Sequence, residues 1–320
     1  MIAHNQRALV ADAIRSVQTQ DDPDWELIAV DDGSTDGTLA VLQQFALEDD
    51  RIRVIAKDNT RLPSIARNAG LIHARGEIVS FLDGDDQYTP GRLSRVRAAF
   101  AACPDANLLF GDYRPYGLPK WDAIGGGLLS HLRMDERYAA LGTHVADGVV
   151  CIDAEALLPV LVCEFFGAFT LNVAVPRSVI ESRAIRFDES RLMAEDYDFV
   201  VRVMRGGACI FVRDVLGLWL RQSSTISSSP SAKGYRDSFE VLERHLNLLD
   251  AAHVSPESRA RVRRKLAQHA FDWGYASARA GDFSSARKAY RASFRYRPAW
   301  KTIASYVKAM VGLSRAPSET

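Results

Sequence analysis

LIAVDDGSTDGT, at residues 27–38, joins a short apolar run to two adjacent carboxylates, a glycine and the start of a helical pattern. An apolar run without polar alternation is typical of a strand buried on both faces of a parallel sheet. Gly33 permits a tight turn after such a strand, so Asp31 and Asp32 are predicted at its carboxyl end. Open α/β sheets bind ligands at that edge. Taken alone, the segment also fits a helix-capping turn.

Apolar runs alternate with helix-length segments from the start of the chain to Asp112. The predicted strands are 27–30, 52–55, 78–82 and 107–110, and the predicted helices are 7–20, 35–47, 62–74 and 90–101. Such alternation gives an open, doubly wound α/β sheet with right-handed crossovers. Residues 113–168 are predicted to be irregular. The pattern then resumes with a regular segment at 169–175, a helix at 194–205 and short strands at 209–212 and 216–221.

Three carboxylates lie within four residues of the motif FLDGDD, namely Asp83, Asp85 and Asp86. They follow a predicted strand, so they fall at the same sheet edge as the first acidic pair. Repulsion among neighbouring carboxylates is relieved by a cation or by water. Hard oxygen ligands select Mg²⁺ or Mn²⁺, which bridge to substrate phosphates. A solvated turn is the alternative interpretation of so short a motif.

Acidic residues also open a predicted helix, where Glu195 and Asp196 are followed by Asp198. The positive end of the helix dipole stabilises carboxylates there, which is a purely structural account. The functional account makes one of them a general base, because an attacking sugar hydroxyl must lose its proton to an acceptor within hydrogen-bond reach. The residues alone leave both accounts open.

Four motifs, taken together in this order and spacing, resemble the family 2 glycosyltransferases of the GT-A fold. They are AVDDGSTDGT at 29–38, ARNAG at 66–70, FLDGDD at 81–86 and AEDYD at 194–198. The resemblance covers residues 1–225. It implies a GT-A fold, which is a doubly wound, Rossmann-like α/β domain with a mixed, mostly parallel sheet. It also implies inverting transfer from a nucleotide-sugar donor, a UDP- or dTDP-sugar, assisted by a divalent metal, Mg²⁺ or Mn²⁺.

The resemblance also assigns residues to the donor nucleotide. Asp32 corresponds to the residue that holds the uracil or thymine edge, with Asp31 in support and Asn5 nearby. Asp83 corresponds to the residue at the ribose and sugar. Arg67 is expected close to the nucleotide or phosphate, where a fixed cation is useful; an exposed helix residue is the alternative.

A second group of residues is assigned to the metal and the transferred sugar. Asp85 corresponds to the direct metal ligand, and Asp196 to the base that deprotonates the acceptor. Glu195, Trp219 and Arg221 are expected at the acceptor or donor sugar.

The chain departs from the family pattern in three places. Met1 stands almost at the end of the first, central strand, which is therefore predicted to be missing or reduced. A native start upstream of Met1 is the favoured explanation, and a degraded or unstable enzyme is the alternative. Gln222 stands where members often carry a histidine that assists the metal. No QxxRW pattern is present, which favours transfer of a single sugar over processive synthesis.

The organisation predicted for the whole chain has four parts. They are a GT-A domain at 1–225, a Ser-rich linker at 226–233, an all-helical region at 234–313 and a tail at 314–320. Helices are predicted at 234–252, 256–280, 284–296 and 299–311. The pattern around Gly274, Tyr290 and Pro298 resembles one tetratricopeptide-like helix pair. A helical cap on the main domain is the simpler alternative.

The formal net charge of the 320 residues is zero, but the charge is unevenly distributed. Residues 232–320 carry 17 Lys and Arg against 8 Asp and Glu, a net of +9, and residues 1–231 carry 23 against 32, a net of −9. The basic helices are predicted to touch an anionic membrane surface, with the densest cluster at 259–265. Ordinary solvated helices are the alternative. No nucleic-acid partner is predicted.

Cellular location is predicted from what the chain contains. Four widely spaced cysteines without metal-ligand spacing favour reduced thiols. The longest apolar stretch, 156–176, is interrupted by Pro159 and Glu164, so it is predicted to be buried in the core rather than in a bilayer. A cytoplasmic protein, peripheral at the inner membrane face, is therefore expected.

The function predicted from the sequence is transfer of a single sugar to a hydroxyl of a glycan or lipid-linked acceptor in surface polysaccharide biosynthesis. The alternative is a catalytically decayed GT-A protein that acts as a binding or adaptor module through its helical tail. A nucleotidyltransferase ranks last, because the first strand-helix turn lacks a Gly-rich phosphate loop.

Overall fold

The computed structural model describes residues 1–164, 167–221, 231–249 and 254–310. The chain divides into two compact units. The α/β unit consists of Met1–Leu158, Phe166–Ser190 and Glu195–Ser223. The helical unit consists of Pro159–Phe165, Arg191–Ala194 and Ser224–Thr320.

Strands and helices alternate through the first part of the α/β unit, as the sequence predicts. The elements are β1 (Ile2–Ala3), α1 (Val10–Gln18), β2 (Leu27–Asp32), α2 (Thr38–Glu48), β3 (Ile52–Lys57), α3 (Pro63–His73), β4 (Ile78–Ser80), β5 (Gln87–Tyr88), α4 (Arg92–Ala102) and β6 (Ala106–Tyr116). All six residues of β2 are buried, in agreement with a strand covered on both faces. The predicted α/β class is confirmed.

The parallel strands β1, β2 and β3 form a sheet in the order β1-β2-β3. A parallel bridge between Ile2 and Asp83 connects β1 to the segment that follows β4. The amide of Ile2 donates to Leu82 O at 3.1 Å, and the amide of Gly84 donates to Ile2 O at 2.9 Å. The first strand therefore lies between β2 and the chain that leaves β4, which brings the ends of three strands to one edge.

The middle of the chain is more regular than predicted. It contains α5 (Pro119–Asp122), α6 (Leu128–His131), α7 (Met134–Ala139), β7 (Thr143–Ala146), β8 (Val149–Asp153) and α8 (Ala154–Cys163). The prediction of an irregular segment is wrong for a physical reason: helices of four to six residues are too short to show a helical hydrophobic period. Pro159 lies inside α8, whose Leu157 and Leu161 are buried.

The remaining elements of the α/β unit complete a second, mixed sheet. A short 3₁₀ turn at Thr170–Asn172 is followed by β9 (Val173–Pro176), α9 (Arg177–Ser182), α10 (Glu195–Met204) and β10 (Ala208–Leu220). The sheet order is β4-β9-β6-β10-β8-β7, with β5 paired to β10. The two strands predicted at 209–212 and 216–221 are one strand, β10, whose pairing with β6 shifts register between Val212 and Val215.

The short β1 leaves space inside the α/β unit. A cavity of 710 Å³ lies on the amino-terminal side of this strand, and Met1, Leu27 and Val79 are among the residues that line it. Helix α3 borders it with Ala66 and Gly70. The expectation of a reduced first strand agrees with the two residues observed in β1.

A disulfide joins Cys103, at the end of α4, to Cys151 in β8. Cys163 and Cys209 are free and buried. The prediction of reduced thiols is therefore wrong for the first pair, because spacing along the sequence does not show which cysteines the sheet brings together.

The helical unit contains four helices close to the predicted positions. They are α11 (Ala232–Asn247), α12 (Pro256–Arg279), α13 (Phe283–Tyr296) and α14 (Trp300–Met310). A Cβ atom on Gly274 of α12 would lie 2.7 Å from the ring of Tyr290 of α13, so glycine is what permits this close crossing. Among the described helices, none combines the length and apolar character that a bilayer crossing requires.

Candidate active site

The register of the strands places three predicted motifs side by side. Asp31 pairs with Ala3 of β1, and Ile2 bridges to Asp83. Asp32 lies next to Lys57, the last residue of β3. The carboxyl ends of these strands therefore form one polar edge, as predicted from the order of strands and acidic residues.

The first acidic pair is held by the loops on either side. Asp32 is buried, and its Oδ1 accepts hydrogen bonds from the amide of Thr60 at 3.0 Å and from its hydroxyl at 2.8 Å. Asp31 Oδ2 accepts from the amide of Ser34 at 3.0 Å. Oδ1 of Asp31 is buried and has no hydrogen-bond partner in the part of the chain that the structure describes. A buried acceptor of this kind favours a ligand that brings a donor.

Asn5 stabilises the loop after β2. Its backbone is left-handed, with φ 52°, and its amide donates to Ser34 Oγ at 3.0 Å. Its side-chain Oδ1 accepts from the amide of Thr35 at 2.8 Å. Asp36 in the same loop accepts from the hydroxyl of Thr38 and the amide of Arg7, which lower its pKa to about 2. The loop is thus preorganised beside Asp31.

Arg67 connects two motifs that are far apart in the sequence. Its Nη2 donates to both carboxylate oxygens of Asp83, at 3.0 and 3.1 Å. Its Nη1 donates to Glu195 Oε1 at 2.8 Å. Arg67 is buried on the inner face of α3, so the alternative of an exposed helix residue is excluded. This guanidinium brings the end of β4 and the start of α10 to one place.

The charges around Arg67 favour its protonated form. Burial acts to lower the pKa of Arg67, but the surrounding carboxylates Asp83, Glu195 and Asp196 outweigh burial and raise it. The ring of Phe187 lies 5.6 Å from the guanidinium. Asn68, the next residue of α3, anchors the same segment by donating to Phe187 O at 2.9 Å. Arg67 is therefore a fixed cation at the centre of an acidic cluster.

Asp85 and Asp86 differ in their surroundings. Burial and the negative charge of Asp83 raise the pKa of Asp85 to about 6. Asp86 is more deeply buried, and its pKa is raised well above the ordinary value by burial, Asp83 and Asp85. Its Oδ1 accepts from the amide of Leu220 at 3.0 Å, which ties the motif to the end of β10. Asp86 therefore has a structural role, whereas Asp85 remains partly exposed.

The donor set at Asp85 fits a divalent ion that is held partly by substrate. Within the described ranges, no group of three or more His, Cys, Asp and Glu side chains is arranged to hold a metal ion. Mg²⁺ usually keeps several waters and binds through one or two carboxylates together with substrate phosphates. The raised pKa of Asp85 reflects charge that a cation would neutralise. One carboxylate and a diphosphate suffice for this type of site.

Glu195 and Asp196 occupy the first turn of α10. Ala194, just before the helix, has a left-handed backbone with φ 63°. Burial raises the pKa of Asp196, although Arg67 acts in the opposite direction. Burial and Asp196 likewise raise the pKa of Glu195. A carboxyl with a raised pKa is suited to accept a proton near neutral pH.

Trp219 and Arg221 lie at the end of β10 and beyond it. The guanidinium of Arg221 lies 4.2 Å from the ring of Trp219. Trp219 also contacts the rings of Tyr113 and Phe169, at centroid distances of 5.8 and 5.3 Å. Because Leu220 binds Asp86, this aromatic platform adjoins the acidic motif. Gln222 lies outside the described residues.

Two residues that hold the site were not predicted. Thr60 fixes Asp32 across 28 positions of sequence. Gln6 hydrogen-bonds to the side chain of Asp85. Neither belongs to a motif, and both contacts depend on which loops meet at the sheet edge. Nothing in the sequence around Thr60 or Gln6 indicates these contacts.

Comparison with known proteins agrees with this geometry. Residues 1–151 match the family model described as Glycosyl transferase family 2. The chain belongs to glycosyl transferase family 2. The predicted family is therefore confirmed.

Curated members of the family match the same part of the chain. A Campylobacter jejuni protein, GalNAc(5)-diNAcBac-PP-undecaprenol beta-1,3-glucosyltransferase, is 43% identical over 93 residues, which are 29% of this chain and 30% of that protein. The succinoglycan biosynthesis protein ExoO of Rhizobium meliloti is 42% identical over 94 residues, 29% of this chain and 26% of ExoO. The chain spans 26% to 37% of the length of the first curated relatives it matches.

Solved family-like structures match the fold over nearly the whole chain. Residues 1–349 of S. aureus TarS, in complex with UDP-GlcNAc, align with a TM-score of 0.63 at 16% identity, covering 96% of this chain and 89% of that one. The mannosyltransferase PcManGT of Pyrobaculum calidifontis, in complex with GDP-Man and Mn²⁺, aligns with a TM-score of 0.55 at 19% identity, covering 97% and 85%. At these identities the likeness shows a shared fold.

Proposed function

We propose that this chain is an inverting glycosyltransferase that moves one sugar from a UDP- or dTDP-sugar to a hydroxyl of a glycan or lipid-linked acceptor. The proposed setting is surface polysaccharide biosynthesis on the cytoplasmic side of the membrane. The observation that carries the proposal is the bridge from Arg67 to Asp83 and Glu195, which joins the donor motif to the acceptor motif. The family and the curated relatives support the reaction class.

The loop after β2 is proposed to bind the nucleotide. A carboxylate accepts several hydrogen bonds, so Asp32 retains acceptor capacity for a base N–H after binding Thr60. The buried, unpartnered Oδ1 of Asp31 provides a further acceptor nearby. Asn5 keeps the loop in place through Ser34 and Thr35. The role of this loop is specificity for the base and ribose.

Asp85 is proposed to hold Mg²⁺ or Mn²⁺ together with the donor diphosphate. A bound metal would neutralise negative charge on the departing diphosphate. Asp83 would contact the ribose and sugar while Arg67 fixes its orientation. The structural neighbour that contains Mn²⁺ supports a metal of this class.

Asp196 is proposed to be the general base. The acceptor oxygen attacks the anomeric carbon, its proton passes to the Asp196 carboxylate, and the bond from that carbon to the phosphate oxygen breaks to release the nucleoside diphosphate. Attack opposite the leaving group inverts the anomeric configuration. Glu195, held by Arg67, would orient a sugar hydroxyl, and the Trp219 and Arg221 platform would stack against the sugar.

Nucleotide release tests the proposal directly. The full chain is incubated with a panel of UDP- and dTDP-sugars, Mn²⁺ and candidate acceptors. Asp196→Asn is expected to lower release at least about 100-fold, the usual scale of general-base catalysis, while donor binding measured by thermal shift stays intact. Asp24→Asn makes the same charge change on a side chain that is 85% exposed and should leave release unchanged. Equal release by Asp196→Asn and the wild type would remove Asp196 from this role.

A further inference from the structure

Helix α14 exposes an apolar stripe. Trp300, Ile303, Val307 and Met310 are 84%, 36%, 53% and 60% exposed. Their spacing of three, four and three residues places them within an arc of roughly 80° on one face of the helix, at 3.6 residues per turn. A stripe of four large apolar side chains on one helix is more than the scattered apolar residues found on ordinary protein surfaces.

The face of α14 that packs on the protein is small and polar. Thr302 and Ala309 are buried there, and Ser305 and Tyr306 are partly buried. Arg287 of α13 donates to Ala309 O at 3.2 Å and holds the end of the helix. A surface helix of a globular protein normally buries its apolar face and exposes its polar one. In α14 this arrangement is reversed, so the apolar face requires another environment.

The charge around the stripe identifies that environment. Residues 283–310 contain seven basic side chains and no Asp or Glu. Two of the seven, Lys301 and Lys308, are exposed on α14 itself. The denser basic cluster at 259–265 is partly used within the helical unit, because Arg261 pairs with Glu257 and Lys265 donates to Glu164 O. The cations beside the stripe are therefore the better candidates for an external anionic surface.

We infer that α14 lies in the interface of an anionic lipid bilayer, with Trp300, Ile303, Val307 and Met310 inserted among the lipids. Helices of this type bury an apolar face at the headgroup boundary, while lysines and arginines meet anionic lipid. Tryptophan is enriched at that depth. A second copy of this chain fits the surface poorly, because it would bring seven more cations against the first seven.

The surface rests on the helical unit alone. Only its purpose, to meet a lipid-linked acceptor, rests on the proposed function. The two can fail separately, since vesicle binding needs no donor and donor binding needs no vesicle.

Vesicle sedimentation of the full chain tests the inference. The protein is mixed with vesicles of phosphatidylcholine alone and with vesicles in which about a quarter of the lipid is phosphatidylglycerol. The wild type is expected to bind the anionic vesicles, and Ile303→Ser with Val307→Ser is expected to bind them about tenfold more weakly or worse. The control is Leu47→Ser, which removes an 82% exposed leucine from α2 and should bind like the wild type.

Three further readouts make the result decisive. Both variants should retain the thermal shift with a UDP-sugar, which shows that a loss of vesicle binding is not a loss of folding or of donor binding. Lys301→Glu with Lys308→Glu should weaken binding to anionic vesicles and remove its salt dependence. Equal binding of the serine variant and the wild type, absence of binding to anionic vesicles, or concentration-dependent self-association that the serine changes abolish would overturn the inference.

Discussion

Nη1 of Arg67 lies 2.8 Å from Oε1 of Glu195, although 128 residues separate them in the sequence. The same guanidinium holds both carboxylate oxygens of Asp83 through Nη2. A planar guanidinium is suited to such a bridge because its donors have a fixed geometry. The position of the proposed acceptor residues relative to the donor motif therefore depends on one side chain.

Arg67→Ala is expected to lower the free energy of unfolding by about 3 kcal/mol, because it leaves buried carboxylates without their partner. Urea denaturation of the full chain measures this change. The control is Arg15→Ala, whose pair with Asp12 is exposed on both sides and should contribute less than about 1 kcal/mol. If both variants were equally stable, the bridge would have no structural role.

The acidic pair at the start of α10 predicts a pH dependence of stability. Burial and the charge of Asp196 raise the pKa of Glu195 above its ordinary value of 4.5. Between these two pKa values the folded chain binds more protons than the unfolded chain, so the free energy of unfolding falls as the pH rises. Glu195→Gln should make that slope shallower, by up to about 1.4 kcal/mol per pH unit. Urea unfolding from pH 4.5 to neutrality measures it. Glu48→Gln, on the exposed surface of α2, should keep the wild-type slope.

The α/β fold could be predicted because its strands are buried on both faces and therefore appear as uninterrupted apolar runs. For β2 the predicted segment 27–30 falls within the observed strand Leu27–Asp32. The acidic motifs follow such strands, so their meeting at one edge could also be predicted. The short elements between Pro119 and Ala139 could not, because each is stabilised by tertiary packing rather than by a local pattern.

Arg67 shows why the detailed site could not be derived from the sequence. Helix α3 buries Ser64, Arg67 and Asn68, which are polar residues that a hydrophobic pattern assigns to the solvent face. Their partners come from other elements, as Asn68 accepts from the amide of Phe187 at 2.9 Å. Contacts over such distances are decided by the fold. The roles in donor binding and catalysis stay predictions.

The Cys103–Cys151 disulfide closes a loop across 48 positions of sequence. Cys103→Ser with Cys151→Ser should lower the free energy of unfolding by about 2 to 4 kcal/mol, since the cross-link restricts the unfolded chain. Reductant should destabilise the wild type by a similar amount and leave the double variant unchanged. Rapid labelling of both thiols in the native, untreated protein would contradict the prediction and would agree with a reducing compartment.

Gly33 links backbone conformation to the proposed nucleotide site. Its φ is +71°, and a Cβ atom there would lie 2.8 Å from the Cα of Asn59, whose chain neighbour Thr60 holds Asp32. Gly33→Ala is therefore expected to displace the Thr60 loop, to lower the free energy of unfolding by about 1 to 3 kcal/mol and to weaken UDP-sugar binding in thermal-shift titrations. The control is Gly126→Ala, because a Cβ atom at Gly126 meets nothing within 4 Å. Wild-type donor affinity in Gly33→Ala would show that the position of this loop does not determine nucleotide binding.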